Sequence, residues 1–208
     1  VALHGYNRKD PAAVSNASPP ATINGLAIVG STVVDFARAR APRGIVQAID
    51  VVSGEERWRF DPLQGDANSG GANVWAPIAV DLDLGMVYLP TSAPSPDYYG
   101  VLRPGDNAYA NAVVALNAES GEVVWHFQHV HHDLWDFDSP AQPILFERDG
   151  VPALAQLTKQ GFVFVLDRRT GEPLFSVLEQ PVPASPIAGE RTSPTQPRPT
   201  APEQLIDP

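Results

Sequence analysis

One phrase occurs three times in this chain and constrains its fold more than any other feature. It reads GIVQAIDVVSGEERWRF at residues 44–60, NAVVALNAESGEVVWHF at 111–127 and GFVFVLDRRTGEPLFSV at 161–177. Each copy is an apolar run ending in Asp or Asn, then two residues, then Ser/Thr-Gly-Glu, then a second run with an aromatic four residues after the glycine. Asp, Asn, Ser and Thr side chains bond nearby backbone, and glycine supplies positive φ, so each copy predicts two antiparallel strands joined by a tight turn. Trp58, Trp125 and Phe175 occupy the same place in the three copies. A recurring aromatic of this kind lets each strand unit bury its face against the next.

The turn glycines Gly54, Gly121 and Gly171 lie 67 and then 50 residues apart. That is near the length of one four-stranded sheet with variable loops, the repeating unit of a propeller. Three units follow, at about residues 18–62, 75–128 and 142–177. Asn24-Gly25 marks a hairpin in the first, the segment 81–85 a turn in the second, and Asp149-Gly150 a hairpin in the third. No stretch has useful helical periodicity, so the chain is read as one all-β domain of repeated sheets. Proline gathers after residue 181, and 181–208 is expected to be an irregular tail. Two long irregular segments, 61–74 and 92–110, interrupt the repeat, and loops of that length are usually functional or disordered. A third interruption, HVHHDLWDFDSP at 129–140, is dense in ionisable and aromatic side chains where only a connection is needed.

Composition narrows the partners. A formal net charge of −10 argues against nucleic acid or an anionic membrane surface. The absence of cysteine removes disulfides and thiolate metal sites. No apolar run approaches the roughly 20 residues needed to span a bilayer. The chain opens on VALHGYNRKD with neither Met nor a signal-like segment, so it is read as a mature product or an excised piece.

Five phrases together resemble a known family: NVWAP at 73–77, VYLPT at 87–91, HHDLWDFDSPAQP at 131–143, TKQGFVFVLDRRTGE at 158–172 and GERTSPTQP at 189–197. They resemble the quinoprotein dehydrogenases that carry pyrroloquinoline quinone, in the branch of membrane-type glucose and quinate dehydrogenases. The resemblance runs from about residue 18 to 197, and the HHDLWD and TKxGxxxVLDR phrases at this separation carry most of its specificity. It implies an eight-bladed β-propeller, of which this chain supplies about three four-stranded blades as an internal fragment. An open arc leaves sheet edges and faces unpaired, so the isolated chain is expected to be marginally stable or self-associating and without turnover.

The resemblance also assigns roles. Asp136 matches the base that takes the proton of the alcohol. Lys159 matches the lysine that contacts the quinone oxygens, and Trp75 the tryptophan on which the flat cofactor stacks. Ser95 falls where the family has a hydroxyl near the cofactor. Asp35 falls near the Ca²⁺ (or Mg²⁺), as part of a hard-oxygen ligand set. Phe36 stands where the relatives follow this acid with Asn, and the segment ARARAPR after it departs from the glucose type. The implied reaction is oxidation of a sugar, polyol or alcohol hydroxyl, with electrons passing to a membrane quinone or a cytochrome. The implied location is the periplasm, with a parent that can carry an inner-membrane anchor.

Read from residue type alone, Asp136 is equally a turn aspartate, Lys159 a surface lysine and Trp75 a packing aromatic. His131, His132, Asp133 and Asp138 could form a transition-metal cluster, but their spacing matches no standard zinc set, and orienting Asp136 or lining a substrate mouth fits them better. Arg168 and Arg169 are expected to flank a turn and bond backbone or solvent. Two other classes of function compete: a non-catalytic propeller scaffold of the outer-membrane assembly type, and a carbohydrate-binding propeller using Tyr98 and Tyr99.

Overall fold

The computed structural model describes residues 14–36, 41–64 and 69–206. Residues 37–40, in the ARARAPR segment, and 65–68, in the first long loop, lie outside the described residues, as do both termini.

The repeated phrase folds as its chemistry dictates. In the first copy, the Asp50 carboxylate accepts the N–H groups of Val52 and Ser53, both at 2.9 Å, while Gly54 N–H donates to the Asp50 carbonyl. Asn117 makes the same pair of bonds to Glu119 and Ser120, and Asp167 accepts from Arg169 N–H. The three turn glycines sit at φ +74°, +74° and +77°. The other hairpin signals act the same way: Asn24-Gly25 and Asp149-Gly150 have positive φ at both positions, as a two-residue hairpin turn requires.

Each turn joins strands of a fully antiparallel sheet. The first sheet is Ala21–Ile23, Leu26–Val29, Val46–Asp50 and Glu56–Phe60, in chain order. The second is Ala79–Asp81, Met86–Pro90, Ala112–Asn117 and Val123–Gln128. The third is Ile144–Arg148, Val151–Leu157 and Val163–Asp167. The first strands of successive sheets touch one another, so the sheets fan from a shared inner edge as an arc of a propeller.

The middle sheet shows how the sheets stack. Val87, Leu89, Val114 and Leu116 pack with Ile28, Val46 and Trp58 of the first sheet. Their neighbours Met86, Tyr88, Val113 and Ala115 face the other way, onto Leu154, Phe164 and Leu166 of the third. This is the period of two of a strand buried on both faces. Trp58 and Trp125 then lock the layers. Trp58 Nε1 donates to the Ala118 carbonyl at 2.9 Å, and Trp125 Nε1 to the Arg168 carbonyl at 3.1 Å. Each indole lies over the turn glycine of the next sheet. A Cβ on Gly121 would sit 2.6 Å from Trp58 Cδ2, and one on Gly171 2.5 Å from Trp125 Cε3. The repeat therefore fixes glycine twice over, for its φ and for the indole seated on it.

Three expectations need correction. The return strand of the third copy shrinks to a single bridge between Leu166 and Pro173, because proline has no N–H to continue a ladder. The segment expected to be an irregular tail contains a strand, Thr195–Pro199, paired antiparallel with Val177–Pro181. Its prolines occupy an edge, where a missing donor does no harm. Arg168 does more than flank a turn: its guanidinium meets Asp81 of the second sheet at 2.6 Å and the Phe146 carbonyl at 2.7 Å, tying two sheets together. Arg169 does stay at its turn, clasping Asp167 with two bonds.

Candidate active site

An antiparallel sheet with sequential strands has its connections at two ends. The turns 24–25, 51–54, 82–85, 118–121, 149–150 and 168–171 all fall at one end, and the remaining connections at the other. Asp35, Asn73, Trp75, Ser95, Asp97, Asp136, Asp138 and Lys159 all lie in this second set. One end of the arc is thus built of short turns and the other of chemistry.

At the centre, Lys159 Nζ donates to Asp136 Oδ2 at 3.0 Å, to the Asp136 carbonyl at 2.8 Å and to Asp138 Oδ2 at 3.1 Å. Lys159 precedes the strand Val163–Asp167, while the two aspartates lie in the HHDLWDFDSP loop, so the ammonium pins two connections together. Burial opposes its charge, but Asp138 and Asp136 outweigh that and hold Lys159 above the usual lysine range. Asp138 is pushed up by burial and by Asp136, against the Ala93 N–H that it accepts at 2.9 Å and the charge of Lys159. Tyr98 donates its hydroxyl to Asp136 Oδ2 at 3.2 Å.

Asp136 sits at φ +61°, in the left-handed region that non-glycine residues enter at a cost. Asp133 holds it there, accepting the N–H of Trp135 at 2.9 Å and of Phe137 at 2.7 Å, the residues on either side. Asn111 Nδ2 bonds the same carboxylate. Burial nevertheless lifts Asp133 to about 6.

A second group adjoins the first. Ser95 Oγ donates to the Asp35 carbonyl at 2.7 Å, and Asn73 Nδ2 reaches Asp35 Oδ2 at 3.4 Å. The strand pair Gly70–Gly71 and Pro94–Ser95 brings them together. Ala93, whose N–H binds Asp138, lies in the same segment, so backbone connects the two groups. Burial, followed by the charges of Asp97 and Asp138, raises Asp35 to about 7. Asp97 rises to about 6, again mainly through burial.

The structure thus links Asp35, Ser95, Asp136 and Lys159 in one continuous network. Trp75 is half-buried two residues beyond Asn73. Among the described residues its carbonyl accepts from Ser18 Oγ at 2.5 Å, and its indole makes no hydrogen bond or ring contact. Its convergence with Asp136 and Lys159 therefore remains a sequence-based expectation.

The His/Asp motif disperses. His131 lies between Gln128 and Glu179, and His132 Nδ1 donates to the Gly105 carbonyl. Among the described residues no three His, Cys, Asp or Glu side chains form a group that could hold a metal. His129 is buried against Ser139, and desolvation holds it neutral, down to about 3. Ser139 gives its single hydroxyl proton to the Thr91 carbonyl, so His129 Nε2 must be the donor in that pair.

Two residues gave little sign of themselves in the sequence. Asp97 is buried next to this site, with Oδ1 unpartnered among the described residues. Arg103 is fully buried and donates to the carbonyls of Pro96, Asp97 and Asp133 and to Asn107 Oδ1. It fastens the 92–110 loop to the HHDLWD loop, but its acceptors are mainly backbone, which no side-chain pattern reports.

Sheet arc and site together define a propeller domain whose loop end carries a paired lysine and aspartates. Comparison with known proteins makes the assignment specific. The family PQQ: Glucose/ethanol/alcohol dehydrogenase, beta-propeller domain, matches residues 2–207, and the chain belongs to it. It is 39% identical over 212 residues to the glycerol dehydrogenase large subunit of Gluconobacter oxydans, covering 94% of this chain and 28% of that protein. With the quinate/shikimate dehydrogenase (quinone) of Acinetobacter baylyi it shares 40% over 218 residues, covering 95% and 27%. The solved quinohemoprotein alcohol dehydrogenase of Pseudomonas putida superposes with a TM-score of 0.66 at 32% identity, covering 74% of this chain and 26% of that one. The chain thus spans about a quarter of the length of these relatives.

Proposed function

We propose that this chain forms part of the active site of a pyrroloquinoline-quinone-dependent dehydrogenase that oxidises a sugar, polyol or alcohol hydroxyl. The observation that carries the reading is the Lys159 ammonium within 3.1 Å of both Asp136 and Asp138, at the loop end of the sheets. A structural ion pair has no need of a left-handed aspartate braced by a second, buried one. Strain supported in this way is a feature of functional sites.

Asp136 is the proton acceptor. An aspartate is a carboxylate at neutral pH, and Asp136 is part-exposed, so a substrate hydroxyl can reach its oxygen. Tyr98 donates to the same oxygen from an exposed position and is the group that an incoming hydroxyl would displace. Lys159 holds the carboxylate in place and offers positive charge to an adjoining oxygen. Asp138 is its counter-anchor, fixed by the Ala93 N–H.

The residues present fit the implied cofactors in part. Asp35 is a hard oxygen donor in a group of buried acids, which a divalent cation would relieve of the burden of protonation. Next to it Asn73 Oδ1 is buried without a partner among the described residues. Asp35 and Asn73 would hold Ca²⁺ or Mg²⁺ together with ligands from elsewhere, while Ser95, Lys159 and Trp75 would contact the quinone. When bound, the quinone supplies the two-electron acceptor and the cation polarises it. Electrons then pass to a membrane quinone or a cytochrome in the periplasm. Blade limits near 18–62, 75–128 and 142–177 belong to the same reading.

The test is to add pyrroloquinoline quinone and Ca²⁺ to the full-length protein and follow dye reduction with a panel of sugars, polyols and alcohols. Turnover that needs both additions supports the reading. Dye reduction unaffected by either, or none with any member of the panel, refutes it.

A further inference from the structure

Lys159 also forms part of the wall of a cavity of about 440 Å³, together with Gln160, Phe162, Trp135, Phe137 and Arg198. The proton-transfer chemistry above makes no use of the other five, and three of their properties specify a ligand.

The first is charge. Arg198 is exposed, and its guanidinium lies 5.3 Å from the centre of the Phe162 ring. Among the described residues it pairs with no carboxylate, although the chain carries a net charge of −10 and most of its other arginines find acids or carbonyls. The ring holds one face of the guanidinium, and the N–H edge is left for an anion. The second is hydrogen bonding. Gln160 Oε1 is buried with no donor among the described residues, and an unmet buried acceptor is costly. A ligand hydroxyl would satisfy it. The third is shape. Trp135 and Phe137 stack with ring centres 5.6 Å apart and planes 28° from parallel, and Trp135 remains part-exposed. They give the wall a flat apolar surface suited to the C–H face of a small ring.

From these we infer that the cavity binds a small cyclic hydroxy-carboxylate, its carboxylate on Arg198, a hydroxyl on Gln160 and its ring against Trp135. A neutral sugar leaves Arg198 unpaired, and a purely apolar molecule leaves Gln160 unmet. A phosphate dianion brings two charges to the single free guanidinium, since Lys159 is already held by two carboxylates. The inference deepens the dehydrogenase reading, by naming a substrate class, and rests on it for the placement of a further ligand hydroxyl towards Asp136. Binding itself can be measured without cofactor.

The test is isothermal titration of the chain, without quinone or metal, with D-glucuronate and D-glucose, which differ at the carboxylate. Glucuronate should bind at least about tenfold more tightly, as expected for a charge-assisted hydrogen bond. Arg198→Gln should reduce glucuronate to the level of glucose, and Arg198→Lys should retain part of the difference. In NMR spectra, glucuronate should move the indole signal of Trp135 and leave that of Trp58. Equal affinity for the two sugars, binding of neither, no effect of Arg198→Gln, or a shift at Trp58 in place of Trp135 would overturn the inference. Because no quinone is present, any of these results leaves the Asp136 chemistry to stand or fall on dye reduction.

Discussion

The repeated turn contains its own control experiment. Gly54 and Gly121 occupy the same place in the same phrase and share φ +74°. A Cβ on Gly54 would meet nothing within 4 Å, whereas on Gly121 it would lie 2.6 Å from the Trp58 ring. Alanine at either site must adopt a left-handed backbone, costing about 1–2 kcal/mol. Gly121→Ala adds an overlap with a packed indole, worth about 1–3 kcal/mol as overpacking. If Trp58 then moves, its bond to the Ala118 carbonyl is lost, for about 1 kcal/mol more. Gly121→Ala should therefore destabilise the chain by about 2–4 kcal/mol beyond Gly54→Ala. With a urea slope of about 2–3 kcal/mol per M, that separates the two midpoints by about 1 M. Urea titration followed by circular dichroism reads the midpoints, and tryptophan emission reports Trp58, which should shift to the red in Gly121→Ala alone. Equal midpoints would show that the glycine serves only its φ, and that the indole seat does not hold the sheets together.

Two further outcomes test the site. Arg103→Met leaves three carbonyls without their buried donor and should cost about 3 kcal/mol or more, at about 1–3 kcal/mol for each unmet group, measured by the same urea titration. Asp35, followed by carboxyl NMR, should titrate near pH 7 in the metal-free chain. Its folded value lies above the unfolded one, so its contribution to stability is greatest at low pH and declines as pH rises through 7, and stability should increase from pH 8 to pH 7. Below about pH 6.5 the histidines held neutral by burial oppose further gain. Ca²⁺ bound at Asp35 should lower its titration point, whereas a point that Ca²⁺ does not move would remove Asp35 from the ligand set.

Much of the fold was legible because it is written in local chemistry. An Asp or Asn that accepts two backbone N–H groups, followed by a glycine at positive φ, specifies its turn without help from the rest of the chain. Strand Thr195–Pro199 was not legible, because its prolines read as disorder until an edge position is supplied. The loss of the third sheet's return strand follows from Pro173, which was visible but outweighed by the repeat. In the site, Asp136 and Lys159 stood out through the phrases around them. Asp97 and Arg103 did not, since burial and backbone acceptors give them their character and neither appears in a residue pattern. Trp75 marks the limit in the other direction: its phrase gave it a role, while its described contacts bring its indole to no other member of the site.

The central claim is that the Asp136 carboxylate takes the substrate's proton, and Asp136→Asn in the full-length holoenzyme tests it most directly. The amide retains the shape of the side chain but cannot accept that proton. Dye-linked turnover should fall by about 10²–10⁴-fold, the usual contribution of a general base, while quinone content measured by absorbance is unchanged. Turnover equal to that of the unmodified holoenzyme, at equal quinone content, would contradict the account.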